Sequence, residues 1–164
     1  MTTVDTPAFQ LASSGKVDTA AHALGAGTIE IDAPREAVWN ALAHVDNWPS
    51  IRADISNVAA SGPPAPGSVF TWHAAGAPVT SAFAVVERAS RLTWATTAPG
   101  LSMVAVYEFD DLGFGRTRIR CRESMDATAI APHIDHNVLE ELIRSWLEGI
   151  KAFTETPAPN QPSN

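Results

Sequence analysis

The alternation of apolar and polar residues changes period along the chain and divides it into elements. Residues 28–31 alternate and predict a first strand, which can begin as early as His22. A helix is expected to open at Asp32-Ala33-Pro34, with Asp or Ala as the cap and proline at an early helical position. The segment Asp46-Asn47-Trp48-Pro49 then predicts a second, short helix or turn.

After this helical region the period of the pattern becomes two, which is typical of strands with one buried face. Turn signals rich in Gly and Pro separate the alternating runs, and the connections are short. Strands joined by short connections pair antiparallel, because parallel pairs need long crossovers. Six such strands are predicted, near residues 55–60, 68–74, 78–87, 91–97, 101–110 and 116–125.

The chain closes with a long predicted helix from about Pro132 to Thr154. Its apolar residues recur at three- and four-residue spacing and form one wide stripe. We therefore predict an α+β fold of order β-α-α-β6-α, in which a curved antiparallel sheet of about seven strands wraps around this helix. A curved sheet rarely closes fully on a helix, so we also expect an internal cavity that suits a ligand.

Composition narrows the function classes. Hydrophobic residues form 45% and charged residues 18% of the 164 residues, as in a globular domain. The formal charge of −7 argues against a nucleic-acid binder, which needs a positive face. The single cysteine, Cys121, has no second cysteine for an internal disulfide or a zinc site.

The ends of the chain differ from its centre. We expect a partly ordered N-terminal extension at residues 1–21, a single domain at 22–155 and a disordered tail at 156–164. The sequence shows neither a signal peptide nor an apolar run long enough to span a membrane, so we expect a cytoplasmic protein. A monomer and a homodimer both remain open.

The last predicted strand contains the strongest candidate for chemistry. Its even positions from 116 to 122 are all Arg, whereas the odd positions Thr117, Ile119 and Cys121 are small or apolar. Alternation places the Arg row on the outer face and Glu123 on the concave face. A carboxyl group on an apolar wall has a raised pKa and suits general acid or base catalysis. The alternatives are a bulge that shifts the register and a purely structural hydrogen bond.

Asp135 is the second candidate carboxylate. At ~100° per residue it falls near the middle of the apolar stripe of the last helix, where it would face the cavity opposite Glu123. Glu123 and Asp135 would then form an acid/base couple across the pocket. The alternative is an exposed aspartate that stabilises the helix N-terminus.

Further residues are candidates for contact with a ligand, although most large aromatic residues in such a domain simply form its core. Tyr107 carries a hydroxyl that suits hydrogen bonding to a carbonyl or enolate oxygen, so we group it with the catalytic candidates. Arg52 follows the short helix and would hold a carboxylate or phenolate at the pocket mouth, or lie on the surface. The remaining ligand-binding candidates are Trp48, Phe70, Trp72, Ser81, Phe83, Trp94, Met103, Val138 and Leu142.

No motif indicates a metal ion or a cofactor. His133, His136 and Glu140 are poorly spaced as metal ligands, and a solvated helix face explains them better. The sequence contains no phosphate-binding loop, no dinucleotide fingerprint and no Gly-x-Ser-x-Gly elbow. We therefore expect neither a metal nor a cofactor.

Several segments resemble the START-like, helix-grip (SRPBCC) superfamily, in its polyketide cyclase/dehydrase-like branch. The resemblance begins with residues 29–34, Val38-Trp39 and residues 45–49, and covers about Ile29 to Phe153. Further matches follow in order at Gly67, Phe70, Trp72, Ser81, Arg91-Leu92, Trp94, Gly115, Thr117 and Glu123-Ser124. The resemblance implies the helix-grip fold, but not one activity, because members include polyketide cyclases, lipid and sterol carriers and other ligand binders.

Two functions from different classes follow. The first is a cofactor-free cyclase or dehydratase that acts on a hydrophobic carbonyl compound, with Glu123 and Asp135 moving protons and Tyr107 stabilising an enolate oxygen. The second is a non-catalytic carrier or sensor of a lipid-like or polyketide ligand. An interaction module that uses the Arg row for an acidic partner is a third and weaker hypothesis.

Overall fold

The computed structural model describes residues 2–156, so most of the predicted tail, 157–164, lies outside the described residues. Two short 3-10 turns, Thr3–Asp5 and Val45–Asn47, accompany the regular elements. The helices are α1 Pro7–Ser13, α2 Arg35–Ala43, α3 Trp48–Ile51 and α4 His136–Glu155. The strands are β1 Ala23–Ile31, β2 Ile55–Ala60, β3 Val69–Ala74, β4 Ala77–Glu87, β5 Arg91–Ala98, β6 Leu101–Gly113 and β7 Arg116–Asp126.

The seven strands form one antiparallel sheet in the order β1-β7-β6-β5-β4-β3-β2. Strands β2 to β7 follow one another as the predicted meander, and β1 pairs with β7 at the edge. The predicted fold class, a curved antiparallel sheet with a long C-terminal helix, is confirmed. Register shifts between Ser56 and Ala59, Phe83 and Val86, and Asp111 and Gly113 mark bulges that bend the strands.

Helix α4 lies in contact with β1 because two glycines of that strand leave room for it. A side chain at Gly25 would meet Ile143 Cδ1 at 2.8 Å, and one at Gly27 would meet Leu147 Cδ1 at 3.0 Å. Ile143 and Leu147 are both buried, so their side chains have little freedom to move away from an added side chain. The close packing at this edge holds residues 139–147 of α4 against the sheet.

Helix α4 begins four residues later than its apolar stripe predicts. The prediction started the helix at about Pro132, whereas the structure starts it at His136 with Asp135 as the N-cap. The first predicted helix also begins differently, because Pro34 is the N-cap of α2 and no side chain caps it. Asp32 instead accepts a hydrogen bond from Arg116 Nε at 3.1 Å.

The N-terminal segment packs on the outer face of the sheet, away from α4. Thr93 Oγ1 donates a hydrogen bond to the Ala12 carbonyl at 2.7 Å, and the hydroxyls of Thr3 and Thr97 lie 2.8 Å apart. A small apolar cluster joins the segment to β4, β5 and β6 through Ala8, Ala12, Ala84, Ala95, Val104 and Val106. The segment from Thr2 to about Asp18 is thus a second layer over the sheet. Within residues 2–156, no helix is both long and apolar enough to cross a membrane.

Candidate functional site

A pocket of about 360 Å³ lies between α4 and the concave face of the sheet. Aromatic and aliphatic side chains form most of its wall, and exposed residues at its rim connect it to the surface. Its wall includes Trp48, Ile55, Trp72, Val79, Trp94, Thr96, Leu101, Met103, Tyr107, Glu123, Met125, Ile134, Val138, Leu139, Leu142, Ile143 and Trp146. The charged residues of the wall are Arg52, Asp54 and Glu123, and His133 lies with them.

Strand β7 follows the predicted register, which places Glu123 on the pocket side. Thr117, Ile119 and Cys121 are buried, and only 6% of Glu123 is exposed. The four arginines of the strand lie outside and pair with carboxylates of the neighbouring strands. The shortest of these contacts per arginine are Arg116–Glu30 at 3.0 Å, Arg118–Glu30 at 3.1 Å, Arg120–Asp110 at 2.6 Å and Arg122–Glu108 at 3.7 Å.

The Glu123 carboxyl group forms a hydrogen-bonded pair with the Tyr107 hydroxyl. Tyr107 Oη donates to Glu123 Oε2 at 2.5 Å, and the thiol of Cys121 lies 3.7 Å from the same oxygen. Tyr107 is fully buried and stacks on Trp94, with ring centroids 4.9 Å apart. Burial raises the pKa of the Tyr107 hydroxyl well above its ordinary value of 10.0, so the hydroxyl keeps its proton and remains a donor.

The two carboxyl oxygens of Glu123 are not equivalent. Both hydrogen bonds go to Oε2, and Oε1 has no hydrogen-bond partner among the described residues. Within residues 2–156, the only fully buried side-chain N or O atom without a partner is Arg91 Nε. Oε1 is therefore not fully buried, and since Glu123 lines the pocket, we infer that Oε1 is accessible from the pocket. The free oxygen is the one that a ligand would meet.

The environment of Glu123 favours its protonated form. Burial raises the pKa of this carboxyl above its ordinary value of 4.5. The hydrogen bonds from Tyr107 and Cys121 and the positive charge of Arg52 lower the pKa but do not offset the effect of burial. Glu123 thus has the raised pKa that the sequence predicts for a carboxyl group on an apolar wall.

Trp48 stands at the centre of the aromatic residues beneath the pocket. Its ring centroid lies 5.2 Å from Phe70, 5.4 Å from Trp72, 5.5 Å from Trp94 and 5.4 Å from Trp146. Its Nε1 donates to the Leu42 carbonyl at 2.9 Å. The predicted ligand contacts at Trp48, Trp72, Trp94 and Met103 all lie on the pocket wall.

Three of the predicted ligand contacts lie behind the pocket wall. Phe70 and Phe83 pack on each other with ring centroids 4.8 Å apart and belong to the core around Trp48. Ser81 is fully buried and also lies outside the wall. These side chains point to the concave side as predicted, but Phe70 packs on Trp48, Ser81 binds the Trp72 indole, and none of the three lines the pocket.

Ser81 satisfies a buried tryptophan instead of a ligand. Trp72 Nε1 donates to Ser81 Oγ at 3.0 Å, and Ser81 Oγ lies 2.7 Å from Thr96 Oγ1. Replacing Ser81 by alanine would leave the Trp72 N–H without its acceptor. We expect Ser81→Ala to lower the free energy of unfolding by about 1–3 kcal/mol, measured by urea denaturation. A loss near zero would show that this N–H has another acceptor. The matched control is Ser13→Ala, at an exposed position of α1.

Arg52 lines the pocket and contacts Asp54 and Trp146 there. Its Nε lies 2.5 Å from Asp54 Oδ1, and its guanidinium stacks over the Trp146 ring at 5.7 Å. His133, predicted on a solvated face, is exposed at the rim of the same pocket. His136 Nδ1 accepts a hydrogen bond from the Leu24 backbone at 2.8 Å and so has a structural partner.

Asp135 does not face the pocket, which corrects the predicted carboxylate couple. Its side chain accepts a hydrogen bond from the Val138 backbone at 2.9 Å and caps α4, as the alternative interpretation proposed. The prediction assumed that the helix already includes Asp135, so that helical spacing would turn its side chain toward the cavity. In the structure Asp135 precedes the first helical residue, and this spacing does not apply to it. Val138 and Leu142, also predicted as ligand contacts, do line the pocket, with Leu142 exposed at the rim.

The capping role of Asp135 predicts a split between stability and turnover. Asp135→Ala is expected to lower the free energy of unfolding by about 1 kcal/mol, because it removes the side-chain acceptor at the helix N-terminus. Asp135→Asn keeps a good cap and should match the wild type. Turnover by either folded variant should be unchanged, and a large loss with Asp135→Asn would restore the couple with Glu123.

Several wall residues were not predicted. Thr96 follows the inward alternation of β5, and Trp146 lies in the apolar stripe of α4. Both signals were present, but the same patterns also describe core residues, so the sequence alone does not separate wall from core. Within residues 2–156, there is no group of three or more His, Cys, Asp or Glu side chains that could hold a metal ion.

The family comparison covers most of the chain. Residues 25–155 match the family model for polyketide cyclase / dehydrase and lipid transport. No curated protein matches the chain. Residues 2–24, which include α1, lie outside the matched region.

Solved structures with the same fold were also found. A hypothetical protein from Helicobacter pylori has a TM-score of 0.70 at 18% identity, over 85% of this chain and 92% of that chain. Truncated norcoclaurine synthase from Thalictrum flavum has a TM-score of 0.62 at 11% identity, over 82% and 94% of the two chains. The di-domain ARO/CYC protein BexL from the BE-7585A biosynthetic pathway has a TM-score of 0.60 at 20% identity, over 79% of this chain and 45% of that one.

At these identities the structural neighbours establish the fold alone. The family model identifies the polyketide cyclase/dehydrase branch within that fold. Together with the helix-grip architecture and the pocket on its concave face, they agree with the resemblance that the sequence motifs indicate. The chain therefore belongs to the polyketide cyclase/dehydrase and lipid transport family of the START-like (SRPBCC) superfamily.

Proposed function

We propose that this protein binds a hydrophobic carbonyl compound in the pocket and catalyses its cyclisation and dehydration by acid/base chemistry, without a cofactor. The observation that supports the proposal best is the free Oε1 of Glu123 on an apolar wall, with Oε2 held by Tyr107. Burial raises the pKa of this carboxyl above its ordinary value of 4.5, which is the direction that suits a group that both accepts and returns a proton.

The proposed reaction uses Glu123 as a proton shuttle. In its ionised form, Oε1 removes a proton from the carbon next to a substrate carbonyl, which leaves an enolate. The enolate carbon attacks a second carbonyl carbon of the same molecule, a new C–C bond closes the ring, and the resulting alkoxide takes the proton back from Glu123. A second proton is then removed and returned to the departing hydroxide, so that one water molecule leaves.

The other wall residues contribute geometry. Tyr107 is a positioning residue, because its hydroxyl hydrogen is committed to Oε2 and fixes the direction of Oε1. Because this hydrogen is already donated to Glu123, the Tyr107 hydroxyl does not donate to an enolate oxygen as we predicted. The indole rings of Trp72, Trp94 and Trp146 would hold an apolar chain in a folded conformer, which converts ring closure into an oriented intramolecular step.

The experiment uses 1-phenylhexane-1,5-dione as the probe. This dione closes to 3-phenylcyclohex-2-enone and one water molecule, and the conjugated product is followed by its absorbance. We expect the wild-type protein to accelerate the closure with saturation kinetics. Binding without acceleration would favour the second candidate, a carrier or sensor. The full hydrogen bonding of Oε2 and the largely apolar wall are compatible with that role.

Ligand binding itself has an internal reporter. Four of the five tryptophans, Trp48, Trp72, Trp94 and Trp146, line the pocket. A bound ligand is therefore expected to change the tryptophan fluorescence. If neither the fluorescence nor native mass spectrometry responds to the dione or to a panel of lipids, both candidate functions are contradicted.

A further inference from the structure

A short chain of buried polar groups runs from behind the pocket wall to the wall itself. Trp72 Nε1 donates to Ser81 Oγ at 3.0 Å, and the hydroxyl oxygens of Ser81 and Thr96 lie 2.7 Å apart. Ser81 is 0% and Thr96 1% exposed. Thr96 lines the pocket, whereas Ser81 lies behind it.

The hydrogens of this chain outnumber its internal acceptors by one. The indole N–H of Trp72 and the two hydroxyls supply three hydrogens. The indole hydrogen goes to Ser81 Oγ, and one hydroxyl hydrogen bridges Ser81 and Thr96. The third hydrogen has no acceptor among the described residues, because neither hydroxyl has a further hydrogen bond there.

The location of the third hydrogen follows from burial. If Thr96 donated to Ser81, the unpaired hydrogen would belong to Ser81, inside the protein and away from the pocket. A buried donor without an acceptor is costly. If Ser81 donates to Thr96, the unpaired hydrogen belongs to a residue that lines the pocket, although only 1% of Thr96 is exposed, and a ligand packed against that wall would supply the acceptor. The second arrangement is the one with the lower cost, and each bond in such a chain strengthens the next.

We propose that the Thr96 hydroxyl is a preoriented hydrogen-bond donor that selects ligands with an acceptor oxygen at a second position, apart from Glu123. This inference rests on the proposed function, since it assigns the specificity of the same pocket. It defines the ligand class as a mainly apolar molecule with at least two oxygen functions. One oxygen function meets Glu123, and the other accepts a hydrogen bond from Thr96.

The sheet register separates the two polar positions. Glu123 pairs with Ala105 on β6, and Ala105 pairs with Trp94 on β5. Thr96 lies two residues beyond Trp94 on the same face of the strand. Ordinary strand spacings put the Cα atoms of Glu123 and Thr96 roughly 12 Å apart, so the two polar groups belong to separate positions of the pocket wall. The stacked rings of Trp94 and Tyr107 fill the wall nearby.

The test compares two probes that differ only in their acceptor oxygens and do not cyclise. They are 2,6-diacetylnaphthalene, with two carbonyl oxygens, and 2,6-diethylnaphthalene, with none. Dissociation constants are measured by equilibrium dialysis for the wild type and for Thr96→Val, which keeps the side-chain shape and removes the hydroxyl. We expect Thr96→Val to weaken binding of the diacetyl probe about three- to tenfold and to leave the diethyl probe unchanged.

Two further variants keep the result interpretable. Thr96→Ser keeps the hydroxyl and should bind the diacetyl probe like the wild type. Thr97→Val changes the next residue, which faces the N-terminal segment through Thr3, and should affect neither probe. If Thr96→Val changed the dissociation constants of both probes equally, or changed neither, the proposed role of Thr96 would be overturned. The proposed function of the pocket would not be affected by that result. If the wild type bound neither probe, the ligand pocket of the proposed function would fail with it.

Discussion

Replacing Glu123 by glutamine is expected to reduce the rate of dione cyclisation by about 10²–10⁴-fold. Glutamine has nearly the shape of glutamate, and its amide oxygen still accepts the hydrogen bond that Tyr107 Oη donates to Oε2 at 2.5 Å. The amide neither takes nor returns a proton, so only the proposed shuttle is lost. The measurement is the appearance of the conjugated enone at saturating and at limiting dione.

Two comparisons make this result specific. Glu148→Gln changes an exposed carboxylate of α4 that pairs with Arg144 and should leave the rate unchanged. Tyr107→Phe keeps the ring that stacks on Trp94 but releases Oε2, so it should lower the rate less than Glu123→Gln and also raise the pKa seen in the pH–rate profile. A folded Glu123→Gln protein with the wild-type rate would remove the catalytic proposal and leave a binding protein.

Replacing Trp48 by alanine is expected to lower the free energy of unfolding by about 3–5 kcal/mol. Trp48 is 2% exposed, contacts four aromatic rings and donates its Nε1 hydrogen to the Leu42 carbonyl at 2.9 Å. Alanine would remove these contacts and leave a cavity that joins the pocket. Denaturation by urea, followed by circular dichroism, measures the loss.

The control for Trp48 is an aromatic residue without packing partners. Phe114, at the turn between β6 and β7, is fully exposed, so Phe114→Ala should change stability by no more than about 0.5 kcal/mol. Trp48→Phe should lose less than Trp48→Ala because it retains a ring against Phe70 and Trp146. A loss below about 1 kcal/mol for Trp48→Ala would contradict the central place that we give this residue.

Strand β7 shows why most of the fold was predictable. Arginine alternates strictly with small or apolar residues along this strand. Once one face of the sheet is covered, only one register is possible, because a shift by one residue would bury four charges. Hydrophobic period, Gly and Pro turn signals and short connections act locally, and they placed β2 to β7 close to their observed ends. The start of α4 was misplaced, because the capping bond of Asp135 competes with the apolar period at a helix end.

The site was only partly predictable, because its wall depends on which side chain stands in front of another. Glu123 was identified from strand period alone, since a carboxyl group among inward-facing residues is conspicuous. Phe70, Phe83 and Ser81 face the same side, but they pack against other buried side chains and do not line the pocket. Thr96 was missed because an inward threonine looks like any core residue until its hydrogen-bond partners are known.

Membership of the family does not decide between the two functions. The structural neighbours share 9–20% identity with this chain, and at that level a shared fold hosts different activities. The distinction rests on the state of one carboxyl group. A carrier needs no proton shuttle, whereas the proposed enzyme needs a Glu123 whose pKa lies above the ordinary value and whose Oε1 is open to the pocket.

The most direct measurement is the titration of Glu123 in the folded protein, followed by its side-chain carboxyl ¹³C shift and assigned with Glu123→Gln. We predict a midpoint above 4.5, the ordinary value of the pKa. The folded state would then bind this proton more tightly than the unfolded state, so the contribution of Glu123 to stability falls as pH rises from 4.5 toward that midpoint. The wild-type protein should lose this contribution to the free energy of unfolding over that pH range, whereas Glu123→Gln should not. A midpoint at or below 4.5 would contradict the account.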